Sequence, residues 1–239
     1  ALAKAQEEKD GIYTFEVLMR IMTAVDVVVS EKYDALTAQE KKERREKFDS
    51  ASEWYDTVKK YDQEKDESSR TTRENWLKEK GYNPQIWEKS FLKYENQALM
   101  ELEKQEVTKK MAQLKLNKPV EKEQYKNFLD AQLEFLEKHI NSVAELPNPA
   151  NLLQKRSADY CAIKTGLEPE VFQTQETMQM AMMDQSLYQK MMQVNFKMMS
   201  AAQAMSQAQM KAQMAKAQAK NEEQVKPENQ TKPEDKNKQ

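Results

Sequence analysis

The feature that most constrains the fold is a long run near the carboxyl-terminal end, in which apolar residues alternate at spacings of four and three. This alternation places the side chains on one stripe of an α-helix, because a helix turns once in about 3.6 residues. Neither glycine nor proline interrupts residues 170–220. The sequence therefore predicts one helix from near Pro169 to Lys220, about 52 residues and roughly 78 Å long. Its stripe consists of Leu187, Met191, Val194, Met198, Ala201, Met205, Ala208, Ala212, Ala215 and Ala219.

A second apolar stripe lies beside the first and is formed by Met178, Met182, Met192, Phe196, Met199 and Met210. Eleven of the 15 methionines lie between Met178 and Met214. Methionine is unbranched and polarizable, so a surface rich in it adapts to varied apolar partners. Two interpretations remain open, since the face either packs on the chain's own helices or binds another protein. A helix lying on a membrane surface is a third, less favoured because such helices use Trp, Phe and Leu.

We predict that the distal part of this helix contacts a partner protein. The preceding helices need their apolar residues to pair with one another, which leaves the far end of a long helix without a covering neighbour. The predicted contact residues on the helix are Met191, Phe196, Met198, Met205 and Met210.

Tryptophans are the second candidate feature, because Trp and Tyr concentrate in cores and in interface hot spots. Packing where short helices meet and an exposed binding patch are both open interpretations. The residues added to the candidate interaction set on this ground are Trp54, Trp76 and Trp87.

Apolar periodicity and capping signals predict helices in the first half of the chain as well. A helical seam covers residues 12–33, with a short buried strand over residues 25–29 as the alternative. Capping boxes, in which Thr37 pairs with Glu40 and Thr71 with Glu74, predict two further helix starts. The polar residues 62–69 are expected to separate those helices.

Prolines and glycines predict the remaining boundaries. Gly81 closes a short helix, and Asn83 with Pro84 starts the next one, which runs to about residue 116. The break at Pro119 precedes a helix over residues 120–146. Asn148 and Pro149 then begin a helix that reaches about residue 165, with Gly166 behind it.

The predicted fold is all-α, an elongated and bent bundle of long helices that includes the Met-rich one. Only 38% of the residues are hydrophobic and 8% aromatic, which is little material for a wide core but enough for narrow helical seams. We expect a single elongated domain over residues 1–220, subdivided near 68–83, 117–119 and 147–149. A polar, flexible tail is expected over 221–239, because its composition cannot support a core.

Little in the sequence points to chemistry, and we expect no enzyme, no cofactor and no metal site. The one histidine, His139, and the one cysteine, Cys161, have no complementary residue nearby in sequence, and three isolated glycines form no phosphate loop. Acidic and basic residues interleave along helix faces, which is typical of solvated surfaces. The near-zero net charge of -2 disfavours nucleic acid as a partner.

The sequence also predicts no stable membrane insertion. Its most apolar stretch, residues 12–29, carries Glu16, Arg20 and Asp26, each costing about 2.5 to 3.5 kcal/mol at a bilayer centre. The first residues, ALAKAQEEKD, hold neither a basic nor an apolar signal region. We therefore expect either a periplasmic protein whose signal peptide has been removed or a cytoplasmic one.

The layout of the chain, with the helix EPEVFQTQETMQMAMMDQSLYQKMMQVNFKMMSAAQAMSQAQ and a tail rich in Lys, Asn and Gln, resembles the flagellar-coiling sheath proteins of spirochaetes. The resemblance covers most of the chain and rests on layout, so it assigns no functional residue. It implies an exported, wholly helical, bent protein that coats the flagellar filament in the periplasm.

Two hypotheses of function follow. The first is a structural protein that packs with copies of itself or with a filament through the Met and Ala face, which a monomer can hardly hide. The second is a chaperone or adaptor that holds apolar client segments on the same face. Ordered, stoichiometric assembly would indicate the first, and transient binding of unfolded clients the second.

Overall fold

The computed structural model describes residues 11–114 and 120–224, and every regular element in that part is helical. The all-α prediction is confirmed. The elements are a 3-10 helix at Pro169–Phe172 and the helices α1 Phe15–Glu46, α2 Ala51–Glu79, α3 Pro84–Leu114, α4 Lys122–Lys138, α5 Ile140–Ala144, α6 Pro149–Thr165, α7 Gln175–Met183 and α8 Gln185–Gln224.

Helices α1 and α2 form an antiparallel hairpin. The face of α1 that carries Val17, Ile21 and Val25 packs with Leu77 near the end of α2. The hydroxyl of Thr14 accepts a hydrogen bond from Val17 N, and that of Ser50 accepts one from Glu53 N, so these two residues cap the helices. Residues 25–29 are helical, which excludes the strand alternative.

Both predicted capping boxes are wrong, because Thr37 and Thr71 lie inside continuous helices. Glu40 does not reach back to a helix start; it is buried and accepts a hydrogen bond from Lys65 of α2. Residues 62–69 likewise do not separate two helices, since they form the middle of α2. Pairing between the helices thus overrides the local capping signal.

Helix α3 lies along the first half of α1 and runs in the same direction. Its start is tied to the segment before α1, because Tyr13 N donates to Ser90 Oγ at 2.7 Å and Asn83 N donates to the Tyr13 hydroxyl at 2.9 Å. Further along, Ala98 packs with Leu18 and Met22. As predicted, Gly81 follows α2 with a left-handed φ of 78°.

The second half of the chain packs α4, α6, α7 and α8 around two clusters of buried residues. The first joins the α1–α2 turn to α4, α5, α6 and α8 through residues that include Phe48, Trp54, Phe135, Leu153 and Met205. We call it the central cluster. The second joins α4, α6, α7, α8 and the 3-10 helix through an aromatic group of Tyr125, Phe128 and Phe172, and we call it the aromatic cluster.

Two of the helices predicted in this half are interrupted. The helix expected over 120–146 is divided at His139 into α4 and α5. The single helix expected from Pro169 is divided into the 3-10 helix, α7 and α8. Thr174 caps α7 by accepting from Thr177 N at 3.1 Å, and Asp184 caps α8 by accepting from Leu187 N at 3.0 Å. Both residue types favour helix starts, and the structure uses both as caps.

The remaining boundaries follow the sequence in part. Pro149 begins α6 and Gly166 closes it with a φ of 70°, although Asn148 has a left-handed φ of 53° and makes no side-chain cap. Helix α8 continues to Gln224, past the predicted start of the tail at 221. The rest of that tail, the predicted division at 117–119 and the first ten residues lie outside the described residues.

Candidate interaction surface

The candidate surface is the side of α8 that faces away from the bundle, and the opposite side fixes its position. There Leu187, Met191 and Val194 are buried in the aromatic cluster. One turn after another, the same stripe continues through Met198 and Ala201 to Met205 in the central cluster. Ala208, Ala212 and Ala215, further along the stripe, are exposed. The first predicted stripe is therefore core up to Met205, and we call that part the inner stripe.

Polar contacts fix the rotation of α8 about its own axis. Lys190 forms an ion pair with Asp130 of α4. Two turns further along α4, Glu137 Oε1 lies 3.2 Å from Lys197 Nζ. The Gln209 side-chain amide donates to Asn148 before α6. These contacts all lie on the bundle side of the helix, the side on which the inner stripe is buried.

The outer stripe, as we call it, consists of the exposed side chains Met192, Phe196, Met199, Met210 and Met214. Phe196 is 65% exposed and Met210 is 57% exposed. Gln203 and Ser206 occupy the same line between Met199 and Met210 and keep the spacing of four and three, so the stripe is continuous along one side of the helix. An apolar line of this length on a surface is characteristic of a protein contact.

The structure separates the five predicted contact residues of this helix. Phe196 and Met210 lie on the outer stripe, where a partner can reach them. Met191 and Met205 are core residues, and Met198 is partly buried against both clusters. The expectation that Met205 is left uncovered is wrong, because it packs in the central cluster with Leu146 and Leu152 and is 6% exposed.

The three predicted tryptophans also occupy different environments. Trp54 is fully buried, and its Nε1 donates to Asp159 Oδ2 at 2.8 Å, so it belongs to the core. Trp76 and Trp87 are half-buried at the α2–α3 turn, where Trp87 stacks on Phe91 and lies under the guanidinium of Arg73 at 4.7 Å. A shallow concavity of about 860 Å³ adjoins Trp87.

Sequence reasoning missed a group of buried charges where α1, α2 and α6 meet. Asp159 of α6 accepts from Trp54 and from Arg44 Nη2 at 3.1 Å, and Arg45 Nε is 3.4 Å away. Glu40 binds Lys65, and Arg44 Nη1 lies 3.2 Å from Glu40 Oε1 without hydrogen-bond alignment. We call this group the charged junction. Charged residues on long polar helices give no signal of it, because burial arises only when the three helices meet.

Arg156 lies beside the charged junction and is less well satisfied. Its Nη2 donates to the Phe48 carbonyl at 2.8 Å, and its guanidinium covers the Phe48 and Trp54 rings at 4.6 and 5.0 Å. Its Nε and Nη1 find no hydrogen-bond partner among the described residues. Burial lowers the pKa of Arg156 and raises that of Asp159, although Arg44 opposes the latter.

Glu40 shows the opposite balance of burial and pairing. Burial alone would raise the pKa of Glu40, but the hydrogen bond from Lys65 and the charges of Arg44 and Lys155 outweigh it and lower the pKa. The carboxylate is therefore ionised in the folded chain at neutral pH. The charged junction fits a structural role, in which matched charges join three helices.

His139 and Cys161 are packed rather than arranged for chemistry. The imidazole lies among the rings of Phe48, Phe135 and Tyr160, and burial together with the Arg156 charge lowers its pKa. Cys161 is fully buried, which raises its pKa to about 12. A thiol with so high a pKa is almost wholly protonated and unreactive at neutral pH.

A second exposed apolar group, on α3, was not predicted. It comprises Leu92, Leu99, Met100 and Val107, each about half exposed or more. The seven-residue spacings from Leu92 to Leu99 and from Met100 to Val107 were the available signal. Exposed carboxylates at Glu95 and Glu103 interrupt this group, so it is shorter and more polar than the outer stripe.

In the described part of the chain, no three His, Cys, Asp or Glu side chains lie close enough together to hold a metal ion. Among the helices of the same residues, none combines the length and the apolar character needed to cross a membrane.

Comparisons with known proteins identify no relative that could assign this surface a role. The resemblance in layout to spirochaete sheath proteins therefore stays a prediction. No protein-family model, curated protein or solved structure matches the chain.

Proposed function

We propose that this chain is a non-enzymatic assembly protein that packs through helix surfaces into a larger structure. The outer stripe of α8 is the observation that carries the proposal, because five large apolar side chains are exposed along one line. Burying a side chain of that size contributes about 1.5 to 3 kcal/mol relative to leaving it in water. A surface of this kind is stabilised by a partner.

The rigidity of the surface supports the same proposal. The inner stripe and the contacts of Lys190, Lys197 and Gln209 hold α8 in one orientation. A surface that is already ordered loses little conformational entropy when a partner binds. That property suits a subunit that joins many others with one geometry.

The layout resemblance suggests what the assembly is. We propose a coat or sheath on a bacterial periplasmic flagellar filament, which would place the chain in the periplasm. If the chain is cytoplasmic instead, the same surface serves a different assembly.

Substitution of the outer stripe tests the proposal directly. Phe196→Lys, Met199→Lys and Met210→Lys in one chain replace apolar contacts with charge but keep good helix formers. A matched control carries Ser186→Lys, Ala204→Lys and Ala215→Lys, three exposed positions about 120° to 140° around α8 from the outer stripe. Both chains gain the same charge, so only the apolar contacts differ.

The measurement is affinity purification of each tagged chain from the native source, followed by mass spectrometry. Wild type and control are expected to recover a fixed set of stoichiometric partners, and filament subunits among them would support the sheath. The triple variant is expected to lose that set while circular dichroism stays unchanged. Equal recovery by the triple variant would refute the proposed role of this surface.

A chaperone or adaptor is the second candidate, favoured by the methionines exposed where α7 meets α8. Met182 and Met183 project there without the regular spacing of the outer stripe, and Met183 is 89% exposed. Flexible side chains of this kind accommodate varied clients. Suppression of the aggregation of reduced insulin at substoichiometric amounts would favour this function, and no suppression would exclude general client holding.

A further inference from the structure

We infer that the partner of the outer stripe is a second copy of the same chain, whose α8 lies antiparallel to the first with the two-fold axis at Gln203. This inference rests on the proposed function, because it names the occupant of the surface described there. It is carried by the register of the stripe, by its charges, by its area and by the side of α8 on which the bundle lies.

The register of the outer stripe is self-complementary. Met192 and Met214 are each 11 residues from Gln203, and Phe196 and Met210 are each 7 residues from it. In an antiparallel pair centred on Gln203, Met192 therefore faces Met214 of the second copy, and Phe196 faces Met210. Gln203 of one copy faces Gln203 of the other, so the two side-chain amides can hydrogen-bond to each other. A two-fold contact requires this kind of self-matching patch.

The charges on α8 favour the antiparallel over the parallel arrangement. Between residues 185 and 221 the helix carries five lysines and no acidic residue, and three of the lysines, at 211, 216 and 220, lie beyond the axis. In a parallel pair, these three lysine positions of one copy would lie beside the same three positions of the other. In the antiparallel pair, Lys211 and Lys216 instead lie near the level of Lys197 and Lys190 of the second copy, two lysines that already pair with Glu137 and Asp130 of α4.

The α3 group is a poorer occupant than a second α8. Glu95 and Glu103 interrupt its apolar residues, and an α8 surface placed over them would remove their carboxylates from water. The residues that border the outer stripe are mainly uncharged amides and hydroxyls, such as Gln193, Ser200 and Gln207. Such borders allow two α8 helices to approach without burying a charge.

The available area and the geometry also fit a dimer. Large side chains bury on the order of 200 Å² each, so five that are about half to two thirds exposed present roughly 600 Å² per copy. That is somewhat below the ~800 Å² per partner of a standard interface, and we expect a reversible dimer with a dissociation constant of about micromolar.

The outer stripe is about 140° around α8 from the inner stripe, so the two bundles lie on opposite sides of the pair.

A charge-swap experiment on the full chain tests the register. Phe196→Lys and Met210→Glu are made singly and together, and the dissociation constant is measured by sedimentation equilibrium, with circular dichroism as a check on folding. Each single variant is expected to dimerise at least tenfold more weakly than wild type. The double variant is expected to dimerise more tightly than either single variant, although more weakly than wild type, because each Lys faces a Glu of the other copy. Ala204→Lys serves as the control, because Ala204 is exposed about 120° around α8 from the outer stripe, and this variant should dimerise like wild type.

Every outcome decides the inference. A parallel pair would place Lys against Lys and Glu against Glu, so a double variant that dimerises no more tightly than the single variants overturns the antiparallel register. A wild-type chain that stays monomeric to about 100 micromolar, or single variants that dimerise like wild type, shows that α8 is not the self-contact. In those cases the proposed function is still judged separately by the purification from the native source, where loss of partners in the triple variant would leave it standing.

Discussion

Asp159 is the residue on which most of the charged junction depends. Asp159 lies on α6 and accepts hydrogen bonds from Arg44 and Arg45 of α1 and from Trp54 of α2. We expect Asp159→Asn to lower the free energy of unfolding by about 3 kcal/mol, because it removes the buried negative charge that joins α6 to Arg44 and Arg45, although these keep Glu40 and Glu168 as partners. Urea denaturation at neutral pH measures the change.

Asp130→Asn is the matched control for that substitution. Asp130 also pairs with a cation, Lys190, but its side chain is 45% exposed, and a surface pair contributes about 0 to 1 kcal/mol. If Asp159→Asn were no more destabilising than Asp130→Asn, the junction would not hold the three helices together.

His139 gives the stability a dependence on pH. Burial and Arg156 lower its pKa in the folded chain below the ordinary value of 6.5, so the unfolded chain binds the proton more readily. Its contribution to stability is complete above pH 6.5 and is lost as the pH falls from 6.5 through the lower folded pKa. We expect His139→Asn to lose less stability than wild type between pH 7 and pH 5, measured by urea denaturation at each pH. An identical pH dependence would show that the imidazole does not contribute.

At the scale of elements, the break before α8 is the clearest local test. Asp184 accepts from Leu187 N and pairs with Lys122, so it fixes the angle at which α8 leaves α7. We expect Asp184→Ala to lower the free energy of unfolding by about 1 kcal/mol, the usual contribution of a helix cap. Asp184→Asn keeps a capping oxygen and should cost less, and thermal denaturation of both variants separates the cap from the ion pair.

The helices and their faces could be predicted from sequence because apolar spacing is a local property. The inner and outer stripes of α8 both follow from spacing alone, and Asn83, Pro84, Gly81 and Gly166 mark real ends. Spacing does not say which stripe is covered. Coverage of Met205 depends on where α5 and α6 lie, which is a tertiary property.

The errors in the boundaries have the same origin. Thr37 and Thr71 carry capping sequences, yet pairing of α1 with α2 keeps the chain helical through both. Thr174 and Asp184 gave no capping-box signal, yet they begin α7 and α8, and the 3-10 segment before α7 places Phe172 against Phe128. Neither result can be obtained from a residue's immediate neighbours.

At the scale of the whole molecule, the long helices imply an extended particle. Helix α8 has 40 residues and α1 has 32, which correspond to about 60 and 48 Å. A compact chain of this length would have a radius of gyration of about 18 Å. We expect small-angle X-ray scattering at low concentration to give a clearly larger value, and a value near 18 Å would contradict the elongated form.

The unequal exposure of the methionines on α8 has a consequence for chemical damage. An oxidant converts an accessible methionine to its sulfoxide, which is polar and no longer suits an apolar contact. Met183 and the outer stripe are open to peroxide, whereas Met191 and Met205 are shielded by the bundle. Peptide mapping after mild peroxide treatment should therefore find sulfoxide at Met183, Met199 and Met214 well before Met205. Oxidation would therefore make the outer stripe polar and weaken its contact with a partner, while the buried methionines and the fold stay intact.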